Sequence, residues 1–199
     1  MAEETGQVIV HVVDDDADLG SSVARLLRRH GHSAQSFEKP AVMLGHQAQE
    51  RAHCLVTDVM MADMDGFAFA ERMRAQDPAM AIIFMTAWPT TANAVDSIRR
   101  YGGLDYLEKP LDEERLVAAV EEGARWSMGR RNALARIAPL TPREREVLHC
   151  LAQGMSNKMV AAALALSPKT IEDHRAAIVA KTGATTAAAL ISLVRDAMG

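Results

Sequence analysis

The chain has 199 residues, of which 49% are apolar and 24% charged, so disordered, collagen-like and membrane-spanning proteins are poor fits. No apolar run approaches the roughly 18 residues of a membrane-spanning helix, and the acidic start MAEETGQ is unlike a signal peptide, which predicts a cytoplasmic protein. Two cysteines, Cys54 and Cys150, are too few for a disulfide framework or a cysteine-ligated zinc site.

The formal net charge of −4 is distributed unevenly along the chain. Residues 1–125 contain 12 Lys+Arg and 21 Asp+Glu, a net charge of −9, whereas residues 126–199 contain 10 and 5, a net charge of +5. An acidic first part suits metal binding or phosphate chemistry through a metal, and a basic second part suits nucleic acid. Two differently solvated surfaces would produce the same asymmetry, so charge alone does not decide between these interpretations.

Short apolar runs in the first part alternate with helix-period segments, which is the pattern of a parallel sheet covered by helices. Five strands are predicted, over residues 8–13, 33–37, 54–57, 81–85 and 105–107. We therefore expect an α/β fold in which a doubly wound, five-stranded parallel sheet occupies residues 1–123.

The strand pattern ends after Asp112, and residues 124–139 are predicted to form a helical linker closed by Pro139. The segment Thr141-Pro142-Arg143-Glu144 then has the residues of a helix start with a capping box. Four helices are predicted in residues 140–199, over 142–153, 157–164, 168–182 and 185–197. The second and third have the spacing of a helix-turn-helix, so we expect an all-α DNA-binding domain.

Reactive side chains follow four of the five predicted strands: Asp14 and Asp15, Asp58, Thr86, and Lys109. Because the carboxyl ends of parallel strands meet at one edge of a sheet, these groups should converge. Neighbouring carboxylates repel one another, and oxygen ligands select a hard cation, which predicts Mg²⁺. Asp58, at the tip of a central strand, is the predicted nucleophile toward a phosphoryl donor, and the pair Asp14 and Asp15 better fits metal ligation.

Two other kinds of site fit the sequence less well. The segment MADMDG resembles a calcium loop, but aligning Gly66 with the loop's glycine puts Met61 at the first ligand position and Arg72 at the last. A phosphatase that uses an aspartyl phosphate would usually have a second carboxylate two residues after the nucleophile, where this chain has Met60. A persistent phosphoryl group, and thus a switch, is the better interpretation.

These segments resemble a known family. VVDDD, CLVTDVMMADMDG, IIFMTAW and LDYLEKP are similar to the receiver domain of two-component response regulators, a flavodoxin-like fold. The run from LTPREREVLHC to AIVAKTG resembles the LuxR-type helix-turn-helix of the NarL/FixJ class. The two resemblances cover roughly 170 of the 199 residues in the family's usual order.

The resemblance implies a role for each residue of the predicted receiver site. Asp58 matches the phospho-accepting aspartate, and the Mg²⁺ ligands would be Asp14, Asp15, Asp58 and the backbone carbonyl of Met60. Thr86 and Lys109 would contact the phosphoryl group, and Tyr106 matches the aromatic residue that changes rotamer on activation. One departure from the family pattern is Ala62-Asp63 in place of the usual proline and its neighbour.

The third helix of the second domain would be the recognition helix. It is expected to present Lys169, Thr170, Glu172, Asp173 and Arg175 outward, and Asn157, Lys158 and Lys181 are predicted phosphate contacts. Two acids in this helix would weaken binding beside phosphates, and a domain of net charge +5 should bind weakly as a monomer. Specific binding therefore implies a homodimer.

The predicted function is a phosphorylation-gated transcriptional regulator and not an enzyme. Its predicted partners are a sensor histidine kinase, double-stranded promoter DNA and RNA polymerase, with no membrane involved. Two alternatives remain at this stage: a Mg²⁺-dependent phosphohydrolase with a DNA-binding appendage, and an interaction module whose acidic site is vestigial.

Overall fold

A computed structural model describes residues 7–47 and 49–198. Residues 1–6 of the acidic start lie outside the described residues. The chain divides into two compact units, Met1–Met128 and Gly129–Gly199, and one long helix, α5 (Glu113–Ile137), contributes residues to both.

The first unit contains a five-stranded parallel sheet in the order β2-β1-β3-β4-β5. Its strands are β1 (Ile9–Val13), β2 (Ser33–Phe37), β3 (Cys54–Asp58), β4 (Ala81–Thr86) and β5 (Asp105–Glu108). The chain order reverses between β1 and β3, which makes their carboxyl ends the switch point of a doubly wound sheet. The predicted α/β fold is confirmed.

Helices cover both faces of this sheet: α1 (Ala17–Arg29), α2 (Pro40–Gln47), α3 (Gly66–Gln76), α4 (Thr91–Arg99) and the first part of α5. Side chains alternate along each strand, so Val10 and Val12 enter a core with Leu116 of α5, whereas Val13 enters a second core with Phe69 of α3. Both faces are therefore apolar, and polar side chains collect at the strand ends.

The second unit is all-α, as predicted, with α6 (Pro142–Ala152), α7 (Asn157–Ala163), α8 (Pro168–Thr182) and α9 (Ala187–Met198). Val147, Ile171, Ile178 and Leu193 lie in its core. A four-residue connection, 164–167, joins α7 to α8. Among the described residues no single helix is long and apolar enough to cross a membrane, and only α8 and α9 taken together, across a bend of 65°, reach such a composition.

The start of α6 has the predicted capping box. The Thr141 hydroxyl accepts from the backbone N–H of Glu144 at 3.3 Å, and the Glu144 carboxylate accepts from the backbone N–H of Thr141 at 2.8 Å. Pro142 occupies the first turn, where no N–H donor is needed. These contacts satisfy donors that a helix start otherwise leaves unpaired.

Replacing Thr141 with Ala should lower the free energy of unfolding of the second unit by about 1 kcal/mol, because one capping hydrogen bond is lost. Urea unfolding followed through the NMR amide signals of residues 143–152 measures this. Thr185→Ala, at an exposed position in the loop before α9, is the matched control and should change the value by less than about 0.5 kcal/mol. Equal losses in the two variants would contradict the capping role.

Candidate functional site

A buried lysine joins two buried carboxylates at the carboxyl edge of the sheet. The Lys109 ammonium lies 2.8 Å from Asp14 Oδ2 and 2.9 Å from Asp58 Oδ2. The Asp14 and Asp58 side chains are 1% and 9% exposed, and that of Lys109 is 14% exposed. These residues follow or end β1, β3 and β5, so the structure brings together groups that are 95 residues apart in the chain.

Asp15 completes a cluster of three carboxylates. One oxygen from each of Asp14, Asp15 and Asp58 lies within 4.8 Å of the others, close enough to hold a single metal ion. Asp15 is exposed, and its Oδ2 accepts from the backbone N–H of Ala62 at 2.9 Å, a contact that the sequence did not suggest. Asp16 instead caps α1 by accepting from Asp18 and Leu19.

Burial and charge act in opposite directions on these groups. Burial raises the pKa of Asp14, although Lys109 and the backbone N–H of Asp16 partly oppose the shift. Burial would lower the pKa of Lys109, but hydrogen bonds to Asp14 and Asp58 outweigh it and the pKa is raised. One ammonium thus faces three carboxylates, and the residual negative charge with an all-oxygen donor set suits a hard divalent cation.

The remaining predicted receiver residues surround this cluster. Thr86 is fully buried at the end of β4, and its Oγ1 accepts from the backbone N–H of Trp88 at 3.2 Å. Met60 donates its backbone N–H to Asp58 Oδ1 at 3.3 Å, while its side chain is exposed. Tyr106 packs against the core, and its buried hydroxyl has no hydrogen-bond partner in the part of the chain that the structure describes.

A tight turn between β3 and α3 positions Asp58. Gly66 donates its N–H to the Val59 carbonyl at 2.9 Å, and Asp65 caps α3. A Cβ at Gly66 would lie only 2.1 Å from the Asp58 carbonyl oxygen, so this position requires glycine. In the sequence alone, Gly66 serves only to exclude a calcium loop.

The predicted DNA-contacting residues lie on α7 and α8. Lys158, Lys169, Glu172, Asp173 and Arg175 are exposed. The Lys169 ammonium is 3.3 Å from Asp173 Oδ1 and 3.7 Å from Glu172 Oε2, so the two acids have a local cation. These contacts, with Asp173 first, raise the pKa of Lys169.

Three other predicted contacts have structural roles in the second unit. Thr170 donates its backbone N–H to Ser167 Oγ at 3.0 Å in the cap of α8, and Arg175 Nη1 lies 3.4 Å from Asn157 Oδ1. The Lys181 ammonium donates to both carboxylate oxygens of Glu144, at 2.8 and 2.7 Å. That contact, which the sequence analysis missed, lowers the pKa of Glu144 and occupies the cation predicted to contact phosphate.

Comparison with known proteins assigns the family. Residues 10–121 match the response regulator receiver domain, and residues 138–194 match the bacterial regulatory proteins of the luxR family. With the sheet order and the carboxylate edge described above, the chain belongs to the response regulators that join a receiver domain to a LuxR-type DNA-binding domain. This is a family of transcription regulators rather than of classical enzymes.

Similar proteins span nearly the whole chain. The transcriptional regulatory protein FixJ of Bradyrhizobium diazoefficiens is 33% identical over 94% of this chain and 95% of its own length. FixJ of Azorhizobium caulinodans is 36% identical over 95% and 91%. The crystal structure of full-length FixJ from B. japonicum covers 98% of both chains at 33% identity, with a TM-score of 0.57. The predicted class, a DNA-binding response regulator of a two-component system, is confirmed.

Gly66→Ala should destabilise the first unit by about 1–3 kcal/mol and shift the NMR signals of residues 58–61, because the added methyl group displaces the Asp58 backbone. Gly45→Ala is the matched control, since a Cβ there has no neighbour within 4 Å. That helical substitution should be neutral or stabilise by about 0.5–1 kcal/mol. A Gly66→Ala protein as stable as the wild type would contradict the close approach.

Proposed function

We propose that Asp58 accepts a phosphoryl group from a sensor histidine kinase and that this modification controls DNA binding by the second unit. The observation that supports the proposal is the Lys109 ammonium held between Asp14 and Asp58, with Asp15 beside them. The site then has a nucleophile, metal ligands and a cation on one surface. Family membership supports a kinase partner and a DNA target in general terms.

We propose that the cation of this site is Mg²⁺, held by Asp14, Asp15, Asp58 and the Met60 carbonyl. Carboxylate and carbonyl oxygens are the ligands that Mg²⁺ takes from proteins, and the cluster carries more negative charge than Lys109 neutralises. When bound, Mg²⁺ would offset the repulsion between the carboxylate and the phosphoryl oxygens.

The reaction is phosphoryl transfer between two side chains. An Asp58 carboxylate oxygen forms a bond to phosphorus as the phosphorus–nitrogen bond of the kinase phosphohistidine breaks, and the electron pair remains on the imidazole. Lys109 is placed to stabilise charge on the phosphoryl oxygens, because its ammonium already lies 2.9 Å from Asp58 Oδ2. Met60 offers no general acid for later hydrolysis, which favours a persistent signal over turnover.

Thr86, Lys109 and Tyr106 are proposed to carry the signal away from Asp58. The Thr86 hydroxyl accepts from Trp88, which leaves its own proton to donate to a phosphoryl oxygen. Tyr106 is paired in register with Phe84, two residues before Thr86 on β4, so a shift of Thr86 is proposed to be passed to it. Its hydroxyl has no hydrogen-bond partner among the described residues, which favours a change of rotamer. The result is a change in the surface formed by α4 and β5.

That surface is proposed to form a homodimer in the phosphorylated state. Trp88, Val95, Ile98 and Leu104 are large apolar side chains on or beside α4 and are 71%, 42%, 57% and 37% exposed. Exposed apolar side chains this close together favour a protein interface. Two copies would bring two α8 helices to one duplex, whereas one copy of residues 126–199, with a net charge of +5, is expected to bind weakly.

The domain division proposed for this function is a receiver domain in residues 1–123, a helical linker in 124–139 and the DNA-binding domain in 140–199. In the DNA complex, Lys158 and Asn157 are proposed to contact phosphates, and Lys181 would add a phosphate contact through the N–H that its pair with Glu144 leaves free. Lys169, Thr170, Glu172, Asp173 and Arg175 would face the bases or the adjacent backbone. A cytoplasmic location and a contact with RNA polymerase complete the proposal.

With Mg²⁺ and a small acyl phosphate, intact-mass spectrometry should show one added phosphoryl group on the wild-type chain. Asp58→Asn should abolish the addition, because an amide lacks the nucleophilic oxygen, and removal of divalent ions should prevent it. Asp63→Asn removes an exposed carboxylate from the same loop and should label like the wild type. Full labelling of Asp58→Asn would eliminate Asp58 as the acceptor.

The DNA-binding proposal separates two kinds of contact. Lys158→Ala should weaken binding to all DNA sequences about equally and reduce the slope of log affinity against log salt concentration by about 1. Glu172→Ala should instead change the preference at one base pair by about 1–3 kcal/mol. Selection from random duplexes and salt titration measure both effects. Arg195→Ala on α9 removes the same charge from another helix and should affect neither. Identical selected motifs for wild type and Glu172→Ala would make Glu172 a surface residue only.

A further inference from the structure

A buried histidine on β1 is not explained by the phosphoryl-accepting site. His11 is fully buried at the middle of the strand, where its neighbours in register are Gln35 and Leu55. Neither of its ring nitrogens has a hydrogen-bond partner among residues 7–47 and 49–198. The Gln47 amide is close enough to His11 to affect its pKa, but its hydrogen bonds of normal geometry go elsewhere: it donates to Asp77 Oδ2 and accepts from the backbone N–H of Ala52.

An unpaired buried imidazole is unfavourable, because each nitrogen lost its hydrogen bonds to water on folding. A buried polar group left without a partner destabilises the fold. Aromatic contact compensates only in part: the His11 ring meets Phe37 edge-on at 5.2 Å between centroids. The packing around His11 therefore leaves its nitrogens available to another ligand.

Two further metal-binding side chains point to the same place. His46 lies in the last turn of α2, and Glu50 follows that helix with its backbone N–H donating to the His46 carbonyl at 3.1 Å. His46 Nε2 and Glu50 Oε2 are 3.4 Å apart. One ligand atom from each of His11, His46 and Glu50 lies within 4.8 Å of the others.

These separations match a tetrahedral ion. Two donors at about 2.0–2.1 Å from Zn²⁺ lie about 3.4 Å apart, which is the spacing of His46 Nε2 and Glu50 Oε2. Two imidazoles on such an ion have ring centroids about 5 Å apart, and those of His11 and His46 are 5.2 Å apart. The His11 nitrogen lies within 4.8 Å of the other two ligand atoms, so it would have to approach by at most about 1.4 Å to reach the same spacing of about 3.4 Å.

We propose that His11, His46 and Glu50 form a binding site for a Zn²⁺-type transition metal ion, with water as the fourth ligand. Two imidazole nitrogens and one carboxylate oxygen are a borderline-soft donor set, which suits zinc and its neighbours and not Mg²⁺. The side of the site toward Glu50 is open to solvent, which provides the entry path and the water.

The protonation state of His11 suits metal ligation. Burial lowers the pKa of His11 to about 4, and the neighbouring His46 adds to the shift, while Glu50 and the side chain of Gln47 oppose it. The ring is therefore neutral near pH 7 and need not lose a proton before it binds a metal. Along β1 it is three residues, about 10 Å, from Asp14, so the two metal sites are separate.

The test is calorimetric titration of the full chain with Zn²⁺ in excess Mg²⁺, which keeps the carboxylate cluster occupied. We expect one Zn²⁺ per chain at the histidine site and at least about tenfold weaker binding in His46→Ala and in Glu50→Gln. His30→Ala is the matched control, because His30 also pairs with a carboxylate at the surface, Glu113 at 2.8 Å. It should bind Zn²⁺ like the wild type.

Two further measurements test the role of His11 in the wild-type protein, because substitution of a fully buried residue would itself disturb folding. Saturating Zn²⁺ should shift one ring nitrogen of His11 in the ¹⁵N spectrum of the wild-type protein, and Asp15→Asn should leave that shift unchanged. Absence of saturable binding, or equal affinity in His46→Ala, would overturn the proposal. Binding that needs His46 but leaves the His11 nitrogens unshifted would overturn it too, since the site would then be a surface pair.

Discussion

The charge balance around Lys109 constrains the whole carboxyl edge of the first unit. Asp14 and Asp58 are buried carboxylates from β1 and β3, and the cation that balances them follows β5. Adjacent strands are about 4.8 Å apart, so a lysine on the line of β5 itself would be remote from β1. The backbone N–H of Lys109 donates to the Thr86 carbonyl at 2.7 Å, which anchors the Lys109 main chain beside the end of β4. The lysine side chain then spans the remaining distance to Asp58 and Asp14.

In the helical unit, a second long-range ion pair also joins elements that are far apart in the chain. Glu144 completes the cap of α6 and, at 5% exposure, also binds Lys181 near the end of α8. One carboxylate thus sets the start of α6 and ties it to the helix that presents Lys169 and Arg175. The Lys181 side chain is 34% exposed, so solvent screens this pair and its net contribution to stability is modest; its clearer role is to connect the start of α6 with the end of α8.

The sequence predicts those features that depend on local pattern. β1, β3 and β4 follow from runs of apolar residues, and β2 and β5 from their place in the alternation of strands with helix-period segments. The edge rule for parallel sheets then brings Asp14, Asp58 and Lys109 together although they are far apart in the chain. Pairings between residues that share no periodic pattern cannot be predicted in this way. Lys181 and Glu144 are 37 residues apart, and the sequence explains each of them locally, Lys181 as a surface charge and Glu144 as a capping residue. His11 in VIVHVV looks like an ordinary interruption of a buried strand.

The buried polar groups of β1 show why these exceptions carry information. The strand's alternation would allow an apolar residue at position 11, yet it holds an imidazole beside Phe37 and His46. A few residues further on, Asp14 is buried with its pKa raised. Where a sequence agrees with its fold at most positions, the few polar residues at buried positions tend to mark functional sites. Asp14 has its cation in Lys109, and a bound metal ion would be the corresponding partner of the His11 imidazole.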